Sequence, residues 1–94
     1  MMQTKSYQLL ERLDVTLNSI IQNPERDNPA IGYNALERKV NVLIEAPELK
    51  AQIQDVEEVG KGFYSGRISV DYLQKLASRE DIETISAKPV QQNR

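Results

Sequence analysis

The chain has 94 residues, a formal net charge of −2, 39% hydrophobic content, no cysteine and no histidine. Losing both residue types removes zinc sites, disulfide staples and Cys- or His-dependent triads together, and a chain this short buries one thin core with little room for a deep substrate pocket. The 12 basic residues are dispersed, with Arg38-Lys39 beside Glu37 as the densest group, which speaks against a nucleic-acid partner.

The first periodic stretch runs from Thr4 to Gln22. Leu9, Leu10, Leu13, Leu17, Ile20 and Ile21 recur at spacings of three and four, which predicts one long amphipathic helix. Thr4 or Ser6 is the candidate cap, and Asn23-Pro24 is the stop, because the residue before proline avoids the α region. No apolar run of signal-peptide or membrane length is present near Met1, so the expectation is a cytoplasmic protein with no membrane partner. Residues 23–34 are rich in turn formers and read as an extended connector, with a short helical turn near Ala35-Leu36.

Lys39 to Glu45 carries the strongest strand signal, with Val40, Val42 and Ile44 on one face at period two. Ala46-Pro47-Glu48 reads as a helix start, since proline suits the first helical position and Glu48 favours the positive end of the dipole. A short helix to about Gln52 and a strand to about Val59 are expected. Gly60-Lys61-Gly62 and Ser65-Gly66 read as bends. The first pair lacks the spacing and the following Lys-Ser/Thr of a phosphate loop.

Arg67 to Val70 reads as a strand running into a helix from Asp71 to Ser78, with Ser69 as cap and Val70, Leu73, Leu76 and Ala77 on the buried side. Ile82 to Ala87 is the last predicted strand, and Pro89 ends it. Residues 38–88 therefore give an α+β pattern, β-α-β-β-α-β, expected to form a ferredoxin-like antiparallel sheet with two helices on one face and an additional N-terminal helix. On this reading, residues 1–37 are an N-terminal helix and connector, and residues 38–94 are the domain with its tail.

Ser65 to Ile85, with Leu73-x-x-Leu76 in the helix and Ile82-x-x-Ile85 entering the last strand, resembles the subtilisin propeptide family, the inhibitor-I9-like domains that accompany subtilisin-type serine proteases. The resemblance covers Val40 to Arg94. It implies a protein that docks on a subtilisin-like protease through the outer face of its sheet and lays its C-terminal tail in the substrate cleft like a product. The docking strand would then carry Glu83, Thr84, Ser86 and Lys88. Val90, Gln91, Gln92, Asn93 and Arg94 would lie along the cleft, with Arg94 in the primary specificity pocket. Family members carry acidic residues just after the last strand, where this chain has Ser86, Ala87 and Lys88.

The sequence thus predicts a stand-alone inhibitor or folding chaperone, not an enzyme, with no cofactor and no metal. The 14 acidic residues read as solvating surface charge. The alternative expectation is a non-catalytic interaction module that dimerises or docks through the helical stripe Leu10, Leu13, Leu17 and Ile20. An acylphosphatase-like enzyme would need a glycine-rich, arginine-bearing phosphate loop that the sequence lacks.

Overall fold

The computed structural model describes residues 10–89. Its centre is strand β1, Lys39–Glu45, whose alternation places Val40, Val42 and Ile44 at 0% exposure on one side. Strand β2 spans Val56–Gly60, β3 spans Phe63–Ser69 and β4 spans Thr84–Ala87. The sheet is antiparallel throughout, in the order β2-β3-β1-β4. The register pairs Val40 with Ile68 and Ile44 with Ile85, so the inward side chains of the central strands meet in one apolar layer.

Two α-helices cover that layer: α1, Val15–Gln22, and α2, Val70–Ala77. Leu17 and Ile20 of α1 and Leu73, Leu76 and Ala77 of α2 join the inward sheet residues in one buried cluster. Leu17 and Leu73 are completely buried. Burying each such side chain contributes about 1.5–3 kcal/mol. Ser69 caps α2 as its sequence foretells, accepting from the Tyr72 N–H, and Asp71 sits in the first turn.

The long N-terminal helix is corrected. Its predicted start at Thr4 or Ser6 lies outside the described residues, but α1 begins only at Val15, capped by Asp14, whose carboxylate accepts from the Leu17 N–H. Before it, Leu13 forms a parallel bridge with Ile85 of β4. Residues 10–14 therefore run as a strap along the outer edge of β4. Asn18, at 7% exposure, holds the strap to α1: its Nδ2 donates to the carbonyls of Leu10, Leu13 and Asp14, and its Oδ1 accepts from the Leu10 N–H.

The helix predicted from Ala46 to Gln52 is also absent; residues 46–55 form an irregular crossover. Partners far along the chain take its amides. The Lys50 and Ala51 N–H groups donate to Asp81 Oδ2, and the Gln54 N–H donates to the Tyr72 hydroxyl. Arg79 grips the same carboxylate and the Ala51 carbonyl, while Ile53 plugs the core at 3% exposure. The Arg79 guanidinium, aided by the Lys50 amide, holds the Asp81 carboxyl well below the usual carboxylate range.

The Ser65-Gly66 bend is likewise corrected, because Gly66 lies in mid-strand. A Cβ there would meet the Asp55 carbonyl oxygen at 2.1 Å and Val56 Cα at 2.8 Å, so only glycine lets the crossover pass so near β3. The connector contributes the 3-10 turn Pro29–Ile31 and two core residues, Ile31 and Tyr33. The Tyr33 hydroxyl donates to the Pro24 carbonyl (2.6 Å), and burial pushes its pKa up. One core thus draws on both sides of residue 38, so the predicted split into residues 1–37 and 38–94 is not a division of the core.

Candidate docking face

With both helices on the inner side, the outer face of the sheet carries the alternate side chains. Three rows cross it. Glu57, Ser65, Leu43 and Ser86 form the middle row through the pairs Glu57–Ser65, Leu43–Ser65 and Leu43–Ser86. Phe63, Glu45 and Thr84 form a second row, in which the Thr84 hydroxyl donates to Glu45 Oε1 (3.2 Å). Arg67, Asn41 and Lys88 form the third, where the Lys88 N–H donates to the Asn41 carbonyl and extends the pairing beyond β4.

None of these side chains belongs to the buried cluster. Phe63 is 39% exposed and Leu43 is half-buried. They are diagonal neighbours on the same face, at roughly 7–8 Å for such pairs. The face therefore has an apolar centre flanked by hydroxyls, a basic row bordered by Lys39 and a row containing Glu45. Lys88 reaches across to the Ser65 hydroxyl (3.2 Å), and Arg67 is braced by Glu37 and by the Gly32 carbonyl. Apolar contact, hydroxyl hydrogen bonding and separated charge are the means of recognising a protein surface.

The structure brings Thr84, Ser86 and Lys88 onto this face, while Glu83 lies just before β4, exposed, with its N–H on the Glu45 carbonyl. The outer edge of β4 is already occupied. The Ile85 N–H donates to the Arg12 carbonyl (2.7 Å), the Asp14 N–H to the Ile85 carbonyl (3.2 Å) and the Ala87 N–H to Asp14 Oδ2 (2.9 Å). The Arg12 side chain adds bonds to the Ile82 and Ala77 carbonyls, the latter at the C-terminal end of α2. The β4 edge is thus closed at Ile85 and Ala87. Val90, Gln91, Gln92, Asn93 and Arg94 lie outside the described residues.

The alternative interface is corrected more firmly. Leu13, Leu17 and Ile20 are 6%, 0% and 3% exposed, because the stripe packs on the protein's own sheet. Leu10 is half-buried against the same cluster. Sequence reasoning missed Leu43 and Phe63. Leu43 was legible as the one large apolar residue out of phase with Val40, Val42 and Ile44, whereas Phe63 sat between two glycine pairs that read as bends.

No family model, no curated protein and no solved structure matches the chain. Among the described residues, no three acidic side chains converge as a metal site, and no helix is long and apolar enough to cross a membrane.

Proposed function

We propose that this is a non-catalytic, cytoplasmic binding module that docks another protein on the outer face of its sheet, and that its target is a subtilisin-type serine protease. The observation that carries the reading is the face left uncovered by the described residues, with Leu43 at its centre and Phe63 beside it. A four-stranded sheet with both helices on one side leaves its other side for a partner, and the propeptide resemblance uses that same side. The fold in this proposal is ferredoxin-like, with the loop 46–55 in place of a first crossover helix and α1 packed on the β4 side of the sheet.

Docking by the face leaves the residues after Pro89 to enter the substrate cleft, with Arg94 filling the primary pocket. A tail lying along the cleft in the manner of a product competes with substrate there. The basic row, in place of the family's acidic residues, favours a target surface with exposed carboxylates over one presenting helix N-termini.

The test titrates the full chain against a subtilisin-type protease that accepts arginine. Competitive inhibition is expected, abolished by removing Gln91 to Arg94 and weakened at least tenfold by Leu43→Arg, with circular dichroism unchanged in both variants. Equal potency after tail removal sinks the product-like mechanism. Absence of any binding at protein concentrations in the hundred-micromolar range, on the order of the weakest specific complexes, sinks the protease assignment.

A further inference from the structure

The two edges of the sheet are treated differently. The strap closes the outer edge of β4 with backbone hydrogen bonds, whereas none of the described residues hydrogen-bonds the outward backbone of β2. Glu57, Glu58, Val59 and Gly60 are all exposed there. An edge of this kind offers a row of unpaired N–H and carbonyl groups to an extended chain.

Its charge has one sign. Asp55, Glu57 and Glu58 fall within this segment with no basic residue among them, and Lys61 comes only in the turn beyond. The two glutamates stand on opposite sides of the sheet. Glu57 pairs with Ser65 and so joins the outer row of Leu43, while Glu58 pairs with Tyr64 and shares the row of Ile44 on the helix side. Neither carboxylate forms an ion pair with a described residue, and Glu58 Oε2 accepts only a long bond from the Gly62 N–H (3.4 Å).

These charges decide between occupants. Antiparallel pairing of two β2 strands centred on the glutamates would set carboxylate against carboxylate, which destabilises a sheet. A second copy is therefore turned away, as charged edges commonly do. A strand of opposite charge meets no such barrier. The bulge between Glu58 and Gly60 limits regular pairing to the stretch from Val56 to Glu58, where the two carboxylates lie.

We propose that the outer edge of β2 receives, by strand addition, an extended protein segment bearing two adjacent basic residues. Successive side chains of a strand point to opposite faces, so adjacent lysine or arginine residues meet Glu57 on one face and Glu58 on the other. Backbone bonds to β2 hold the segment, and the two charge pairs fix its register. Val59, 55% exposed, adds an apolar contact at the end of the ladder.

The test titrates the full, isotopically labelled chain with the synthetic peptide Thr-Val-Thr-Lys-Arg-Thr-Val-Thr and follows it by NMR. Shifts and slowed exchange centred on the amides of Val56–Gly60 are expected. The same peptide with Glu-Glu in place of Lys-Arg should bind at least roughly tenfold more weakly. Of two Lys-Arg peptides N-methylated on alternate residues, one should lose binding and the other keep it, because only every second N–H faces β2. Glu57→Lys/Glu58→Lys should reverse the preference toward the Glu-Glu peptide, with circular dichroism unchanged. The peptide controls use the unmodified chain, so they decide the matter even where the double variant does not fold. No binding at about 1 mM peptide, the weak end of specific affinity, overturns the proposal. So do shifts centred on β4 or the outer face, equal affinity for both N-methylated peptides, or a dimer of the unmodified chain that protects the β2 amides. The assay contains no protease, so this inference and the protease reading fail separately.

Discussion

Replacing Asn18 with alanine tests how the strap is held. Its amide makes four hydrogen bonds, three donated to carbonyls of residues 10–14 and one accepted from the Leu10 N–H. Each neutral bond contributes about 1 kcal/mol net, and a buried carbonyl left without a donor costs about 1–3 kcal/mol. The Leu10 and Asp14 carbonyls keep the Leu13 and Asn18 N–H groups as donors. The main losses are thus the donor to the Leu13 carbonyl and the acceptor of the Leu10 N–H, and the expected loss is about 2–4 kcal/mol. For a chain of this size, that lowers the melting temperature by roughly 10–25 °C. Urea unfolding measures the total, and hydrogen exchange locates it. The Ile85 amide, which donates to Arg12, should lose far more protection than the amide of Val42 in β1. A loss below about 1 kcal/mol, or an Ile85 amide as protected as before, would mean that burial of Leu13 alone keeps the strap in place.

Gly66→Ala should destabilise by about 3 kcal/mol or more, above ordinary overpacking, because the new Cβ meets backbone atoms of Asp55 and Val56 that cannot rotate away; a urea midpoint near that of the unmodified chain would refute this. Asp81 gives an acid dependence of known sign. Its folded pKa lies below the unfolded value of about 3.9, so between the two the unfolded state binds more protons and stability falls as pH drops below about 4. Thermal melts at descending pH should show a flatter profile for Asp81→Asn, already less stable at neutral pH, and parallel profiles would contradict the ion-pair account. Asp14→Ala removes both the α1 cap and the acceptor for the Ala87 N–H, with an expected cost of about 1–3 kcal/mol. Faster exchange at Ala87 and Leu17 together would confirm the shared carboxylate.

Features set by neighbours in the chain were legible in the sequence. The alternation of Val40, Val42 and Ile44 marked β1, and Ser69 with Asp71 marked the start of α2. What escaped reading depended on groups far away. The spacing of Leu13 and Leu17 is the same whether Leu13 is helical or bridged to Ile85, and Asp14 declares itself a cap only once the chain before it is seen to leave the helix. Pro47-Glu48 begins as a helix should, yet Asp81 and Tyr72 claim the amides of Lys50, Ala51 and Gln54 from a separation of 18 to 31 residues. Gly66 looked like a bend because no local feature foretells a carbonyl passing over it. On the outer face of the sheet, the positions of Thr84, Ser86 and Lys88 followed from the last strand, but the covering of the β4 edge did not, since its cover comes from the opposite end of the sequence.

That cover also sets an order of events. The bond from the Ile85 amide to the Arg12 carbonyl, and the hold of Arg12 on Ile82, join positions some 70 residues apart. Closing so wide a loop is entropically unfavourable until the intervening sheet has already formed and drawn the ends together. During synthesis the strap leaves the ribosome early, and it waits for β4 before it has anything to pair with. The strap is expected to seat after the sheet, and a chain in which it has not seated would expose β4 as an open template for other chains.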